Sequence, residues 1–163
     1  YQFTLWEAPQ YYMAKGFFCG TRQHVWEVRA LVHALRGSQV SFWLPTFWED
    51  LVLANDILTG SNQIEIENIG YHTHIKDRTP NSAIRIVKTD GTTLCRQVTG
   101  SSEVDSTVER ITLDQVWSET IQMEDVDHIE FLRLCRIADD RVTFEHGNNG
   151  KARVSFNVIG VQQ

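Results

Sequence analysis

Two alternating runs, Ala83-Ile84-Arg85-Ile86-Val87-Lys88 and Thr92-Thr93-Leu94-Cys95-Arg96-Gln97-Val98, flank Thr89-Asp90-Gly91. Asp-Gly between such runs is a strong short hairpin signal, because glycine supplies the positive φ that a tight reversal needs. The same period of two recurs along the chain. Gln63-Ile64-Glu65-Ile66-Glu67 alternates strictly, and Val108 to Leu113 reads as a further strand. Ile129 to Ile137 is a long strand, turned by Ala138-Asp139-Asp140 into Arg141 to His146. Gly147 to Gly150 makes the next turn, and Ala152 to Val161 closes the meander with Val154, Phe156 and Val158 on one face. Strands at this spacing, joined by short turns, predict an antiparallel sandwich or barrel.

The first third is less uniform. Gln2 to Trp6 reads as a strand broken by Ala8-Pro9, while Phe17-Phe18 lies in a stretch without a decisive pattern. Val25, Val28, Leu31, Val32 and Leu35 recur at helical spacing, which predicts a helix over about 24–36. Thr21 is its expected N-cap, and Gly37 stands where a left-handed terminal residue belongs. Val40 to Leu44 follows as a strand stopped by Pro45. Turn-rich stretches occupy Asn55 to Asn62 and Asp77 to Ser82, and Gly100 to Ser106 reads as a polar loop. The expected fold is mainly β with one main α-helix.

With 163 residues, the chain is long enough to bury a core of its own. An apolar fraction of 42% and a charged fraction of 22% are those of a globular protein. The net charge of −6, with scattered basic residues, argues against nucleic-acid binding, where affinity comes from lysine and arginine neutralising phosphates. No apolar run approaches the ~20 residues that span a bilayer, and no signal-peptide pattern is present. The chain opens at Tyr1 without a methionine, so a fragment of a longer polypeptide is expected. Cys19, Cys95 and Cys135 are far apart and form no CxxC pair, so they read as small buried residues rather than disulfide or zinc ligands.

No catalytic constellation accompanies this framework. There is no GxSxG elbow, no cysteine with a recognisable partner and no phosphate-binding glycine motif. Tyr71-His72-Thr73-His74 would put two imidazoles on one face of a strand, yet no third or fourth metal ligand is signalled. Asp139-Asp140 reads as a turn, and Glu49-Asp50 and Glu124-Asp125 as solvated pairs. The expectation is therefore no catalytic residue, no metal and no cofactor.

What remains is Ser41-Phe42-Trp43-Leu44-Pro45-Thr46-Phe47-Trp48-Glu49-Asp50-Leu51, four rings and a proline in a few residues. Core packing is the ordinary use of such rings. Phe42 and Trp43 nonetheless alternate across a strand and cannot both face one core, and exposed aromatics mark interfaces. Phe42, Trp43, Phe47 and Trp48 are thus the interface candidates. Stacking on sugars is the other use of an exposed tryptophan, with Trp43, Trp48 or Trp117 available.

The order of a Gly-terminated helix, this aromatic Pro segment, a β-rich insert, and Phe131-Leu132-Arg133-Leu134-Cys135-Arg136 before a hairpin resembles tail proteins of tailed bacteriophages and prophages. The alternating strand of their variable module is matched by Asn62 to Ile66, and their terminal hairpin by Phe131 to Val142. The resemblance implies a structural component of the tail tip or baseplate, distal-tail or hub-associated, forming a trimeric or hexameric ring. It implies no activity and carries over no functional residue. The expected organisation is an outer sandwich-like domain of residues 1–53 and 123–163, with a small barrel-like module at 54–122. The module's loops around His72 to Asn81 and Gly100 to Ser106 would be free to vary. Expected partners are other tail proteins and copies of the chain itself, in a virion assembled in the bacterial cytoplasm. The alternative is a glycan-binding module; a hydrolase would need a general acid in a cleft, and no carboxylate announces one.

Overall fold

The computed structural model describes residues 12–75, 81–138 and 141–161. The expected strand at Gln2 to Trp6, its break at Ala8-Pro9, the Asp139-Asp140 turn and part of the Asp77–Ser82 turn lie outside the described residues. The fold is mainly β with one main helix. It comprises β1 (Tyr12–Cys19), α1 (Arg22–Leu35), β2 (Phe42–Pro45), β3 (Gln63–Glu67), β4 (Ala83–Lys88), β5 (Thr93–Glu103), β6 (Val108–Leu113), β7 (Val126–Ile137), β8 (Thr143–His146) and β9 (Ala152–Gly160). The chain divides into two compact units, one of residues 1–43 and 134–163, the other of residues 44–133. These limits differ from the 53/54 and 122/123 that the sequence alone suggests. The chain passes between units within β2 and within β7.

In the first unit β9 is the central strand. All eight residues of β1 pair with it antiparallel, from Tyr12 opposite Ile159 to Cys19 opposite Ala152. Its other edge pairs with β8 and with the end of β7. The alternation read from the sequence is realised here: Ala152, Val154, Phe156 and Val158 are buried. Phe17 stacks on Phe156 at 5.7 Å between ring centroids, so the undecided Phe17-Phe18 stretch is strand. Lys15 and Gly16 hid it, being poor strand formers that the eight-residue pairing overrides.

Helix α1 begins two residues before the expected start. The Thr21 hydroxyl accepts from His24 N at 3.2 Å, satisfying a first-turn donor. At the other end Arg36 and Gly37 both take the left-handed conformation, with φ of 49° and 65°. Val25 and Leu35 are buried, and Arg29 lies over the Phe144 ring while donating to His146 Nε2 at 3.1 Å.

The second unit is a closed ring of pairings. β7 pairs with β4, β4 with β5, β5 with β6 and β6 with β3, all antiparallel. A short seam completes the circuit: Leu53 bridges Ile66 of β3, and Leu51 bridges Ile129 of β7. Fourteen buried residues, among them Leu51, Ile64, Ile66, Tyr71, Ile84, Ile86, Ile111, Trp117, Ile129 and Phe131, fill the interior. The hairpin at Asp90-Gly91 forms as read, with Gly91 at φ 84° and Lys88 N donating to Thr92 O at 2.8 Å. The Gly100–Ser106 loop is a correction. β5 continues through Glu103, pairing with β4 over its first half and with β6 over its second, and its register shifts between Val98 and Gly100. A bulge there bends the strand around the ring, a common use of such irregularities. The polar composition that suggested a loop belongs to a paired strand whose reversal falls later, where Asp105 accepts from Thr107 and Val108.

Candidate functional site

Thr46 to Asp50 leaves the end of β2 and arches over β7, before the chain enters the seam of the ring. Six hydrogen bonds fasten this arch within the second unit. Thr46 N donates to Phe131 O at 3.0 Å, and Asp50 N and Leu51 N both donate to Ile129 O, at 2.9 and 3.1 Å. The Asp50 carboxylate accepts from Phe131 N at 2.9 Å and from the Thr46 hydroxyl. Phe47 N donates to Glu130 Oε2 at 2.7 Å. The proline and the paired carboxylate therefore have structural work: Pro45 presets one φ, and Asp50 replaces ladder partners that an arched backbone cannot reach.

Glu130 is fully buried, although its strand position points away from the ring's interior, because the arch covers it. Burying a carboxylate costs far more than burying a neutral group unless it is paired and hydrogen-bonded. Arg85, opposite it on β4, supplies the counter-charge: its Nε donates to Glu130 Oε1 at 2.6 Å and its terminal nitrogen completes the fork. The guanidinium also lies 6.0 Å from the Phe47 ring centroid.

The arch displays two rings. Phe47 adopts φ 63°, a left-handed conformation that a bulky residue rarely takes, and its side chain is 51% exposed. Trp48 is 76% exposed. Phe42 and Trp43 are half-buried and belong to the first unit. The four candidates thus separate into a displayed pair and a pair half-sheltered on β2. Of the other tryptophans considered for sugar stacking, Trp117 is 3% exposed with Arg96 4.8 Å over its ring, which leaves no face for a sugar.

A second carboxylate went unread in the sequence. Glu109 is buried on β6 and accepts three backbone N–H groups, from Ile69 (3.2 Å), Tyr71 (2.8 Å) and His72 (2.9 Å). It folds Tyr71–Ile75 into one wide π-helical turn, so His72 and His74 do not share a strand face as the sequence suggested. Gly70, at φ 75°, packs so closely under His74 that a Cβ there would lie 2.9 Å from the ring. His72 instead meets Ser101 Oγ at 3.2 Å. Tyr71 turns inward, donates to Asn81 O at 2.9 Å and stacks on Phe131, and burial pushes its hydroxyl pKa up to about 12.

Beside the arch, Glu49, Leu51, Val52, Leu53, Met123, Val126, Asp127, His128 and Ile129 line a shallow groove of about 90 Å³. Small-molecule sites run to roughly 300–1,000 Å³, so this groove admits a side chain rather than an enclosed ligand. His128 directs Nδ1 at Asp127 Oδ2 (2.7 Å) and holds Nε2 3.5 Å from Glu130 Oε1. Among the described residues no group of three His, Cys, Asp or Glu side chains is placed to hold a metal ion. Of the cysteines, Cys19 and Cys135 are buried as expected, but Cys95 is exposed, because it sits opposite Arg85 on the ring's outer face. No described helix is long and apolar enough to cross a membrane. No protein-family model matches the chain, and a search of curated proteins finds no match.

Proposed function

We propose that this chain is a structural protein of a bacteriophage tail tip or baseplate that assembles into a ring through protein–protein contacts. The observation that carries the reading is the fastened arch that holds Phe47 and Trp48 in solvent. A backbone already tethered on both sides of the pair has less entropy to lose on binding, and aromatic anchors dominate interface energies. Burial of such rings in a neighbour contributes about 25 cal/mol per Å² of apolar surface, and ring symmetry repeats the contact at every subunit. The order of motifs along the chain supports the same reading. On it, the partners are other tail proteins and further copies of the chain, the location is the virion tail after synthesis in the host cytoplasm, and no molecule is transformed. Mass spectrometry and electron microscopy of purified tails test it: the polypeptide is expected in a ring at the tip, and its absence from the particle overturns the proposal.

One observation favours a second reading, a glycan-binding module. Trp48 presents enough open surface to stack on a sugar ring. A glycan array separates the two, since binding that vanishes in Trp48→Ala supports sugar recognition and an unresponsive array supports assembly.

A further inference from the structure

The two units carry opposite charge. Residues 1–43 and 134–163 hold eight lysines and arginines against five aspartates and glutamates, a formal +3, while residues 44–133 hold seven against sixteen, a formal −9. The net −6 of the whole chain hides this division. Each unit also bears an exposed surface on which its charge and apolar side chains come together.

On the first unit that surface is the outward face of α1. Val25 and Leu35 are buried and Arg29 reaches Phe144, so helical spacing turns Trp26, Ala30, Leu31 and Ala34 outward. Trp26 is 61% exposed and Leu31 50%. Arg22, His24, His33 and Arg36 are exposed around them, against a single carboxylate, Glu27, which accepts from Gln23 at 2.9 Å. On the second unit the surface is the rim where β3 ends and β5 turns into β6. Asn68 Nδ2 donates to Asp105 O at 3.2 Å and joins the two segments. Ile69 and Val104 are exposed there, among the exposed carboxylates of Glu67, Glu103 and Asp105. Arg110, opposite Ser102 in the ladder, is already held by Glu65 at 2.6 Å.

We infer that copies of this chain join head to tail, the outward face of α1 on one copy docking against the Glu67, Ile69 and Val104 rim of the next. The inference rests on the assembly reading and names the two surfaces through which its ring would close. Two copies meeting by the same surface would set basic helix on basic helix, or carboxylates on carboxylates, and like charges across an interface reject such a pairing. Unlike surfaces give a heterologous contact, the kind that closes into a ring or runs on as a filament. Trp26 and Leu31 supply the apolar anchor against Ile69 and Val104, and the charges fix register and partner.

Sedimentation velocity of the full chain tests this. The wild type is expected to form larger species with rising concentration at about 50 mM salt, and its self-association to weaken severalfold at about 500 mM. Arg22→Glu/Arg36→Glu puts acid on the helix face, and Glu67→Arg/Glu103→Arg puts base on the rim; each alone should weaken self-association about tenfold or more. An equimolar mixture of the two should recover it, because every helix face then finds a rim of opposite charge on the other variant. Arg136→Glu/Arg153→Glu changes the charge of the first unit by the same amount. Both residues are exposed, on the sheet face opposite the one that carries Phe144, so this variant should associate as the wild type does. Circular dichroism checks that each variant folds, and the wild-type salt titration decides the matter if one does not. A wild type that stays monomeric into the millimolar range or ignores salt, folded helix or rim variants that associate normally, a mixture that fails to recover, or a control that weakens alongside them would each overturn the inference. If the chain is absent from tails yet the mixture recovers, the tail reading falls and the head-to-tail contact stands. If the chain sits in the ring and the variants associate normally, the head-to-tail inference alone falls.

Discussion

The arch at Thr46–Asp50 and the turn at Ile69–Ile75 are built on the same device with opposite results. Each is a non-ladder segment of the second unit tied to a buried glutamate on a neighbouring strand, the arch by one backbone N–H to Glu130 and the turn by three to Glu109. The turn sends its aromatic residue, Tyr71, into the core to stack on Phe131. The arch sends Phe47 and Trp48 outward. The supports differ accordingly. Glu109 spends both oxygens on three backbone donors, whereas Glu130 gives one oxygen to the arch and the other to Arg85. One carboxylate shapes a piece of core; the other couples a displayed ring to a half-exposed cation. Aromatic content alone therefore does not separate scaffold from interface. What separates them is whether the local tether aims the ring inward or outward.

The contrast can be broken at its inner end first. Glu109→Ala leaves three buried or half-buried N–H groups without an acceptor, and each unsatisfied donor costs about 1–3 kcal/mol. A loss on the order of 4 kcal/mol in urea unfolding is expected, with Glu109→Gln losing about half of that. At the outer end, Glu130→Ala removes one bond to the arch and strips Arg85 of its partner. Arg85 can still reach water, so a smaller loss of about 2–3 kcal/mol is expected, with a changed Trp48 fluorescence as the arch loosens. If Glu130→Ala proves the costlier of the two, the two carboxylates do not divide their work in this way.

Tyr71→Phe sharpens the inner side. It deletes one hydrogen bond to Asn81 O and should cost about 1 kcal/mol at neutral pH. Its pH signature is more specific. Because burial raises the Tyr71 pKa from 10.0 to about 12, the unfolded chain ionises first. Tyr71 therefore stabilises the fold fully below pH 10, and that contribution is lost as pH climbs toward 12. Denaturation midpoints of the wild type should fall faster than those of Tyr71→Phe across this window; parallel curves would place the hydroxyl in water. The smallest stability change belongs to Trp48→Ala, within about 0.5 kcal/mol, since surface substitutions rarely cost more. Its effect should appear instead in assembly, as loss of higher-order species by sedimentation velocity.

Much of the fold was legible because local and tertiary signals agreed. Asp90-Gly91, the Gln63–Glu67 alternation and the Thr21 cap each name their structure without help from distant residues. β1 was hidden because its strand state depends on β9, at the far end of the chain. The Gly100–Glu103 stretch was misread because composition describes solvent preference, not pairing. Of the site, Phe47 and Trp48 were named as candidates, but nothing local distinguishes them from Phe42 and Trp43. The carboxylates beneath were readable only in part. Val108 to Leu113 puts Glu109 in phase with Ile111 and Leu113 on the buried face, so a charged residue on the apolar beat was a usable signal. Glu130 gave none: its burial comes from a segment more than eighty residues earlier laid across it.

The pairing of β1 with β9 has a consequence for biosynthesis. Residues 44–133 form a unit contiguous in sequence, whose pairings are all available once that stretch has been made, whereas β1 must wait for β9. At typical translation speeds that wait lasts roughly 10–30 s. During it Tyr12, Phe17 and Phe18 lie on an unmatched ribbon, so a nascent-chain chaperone, or the speed at which the codons between the two strands are read, would decide how much of the product escapes aggregation.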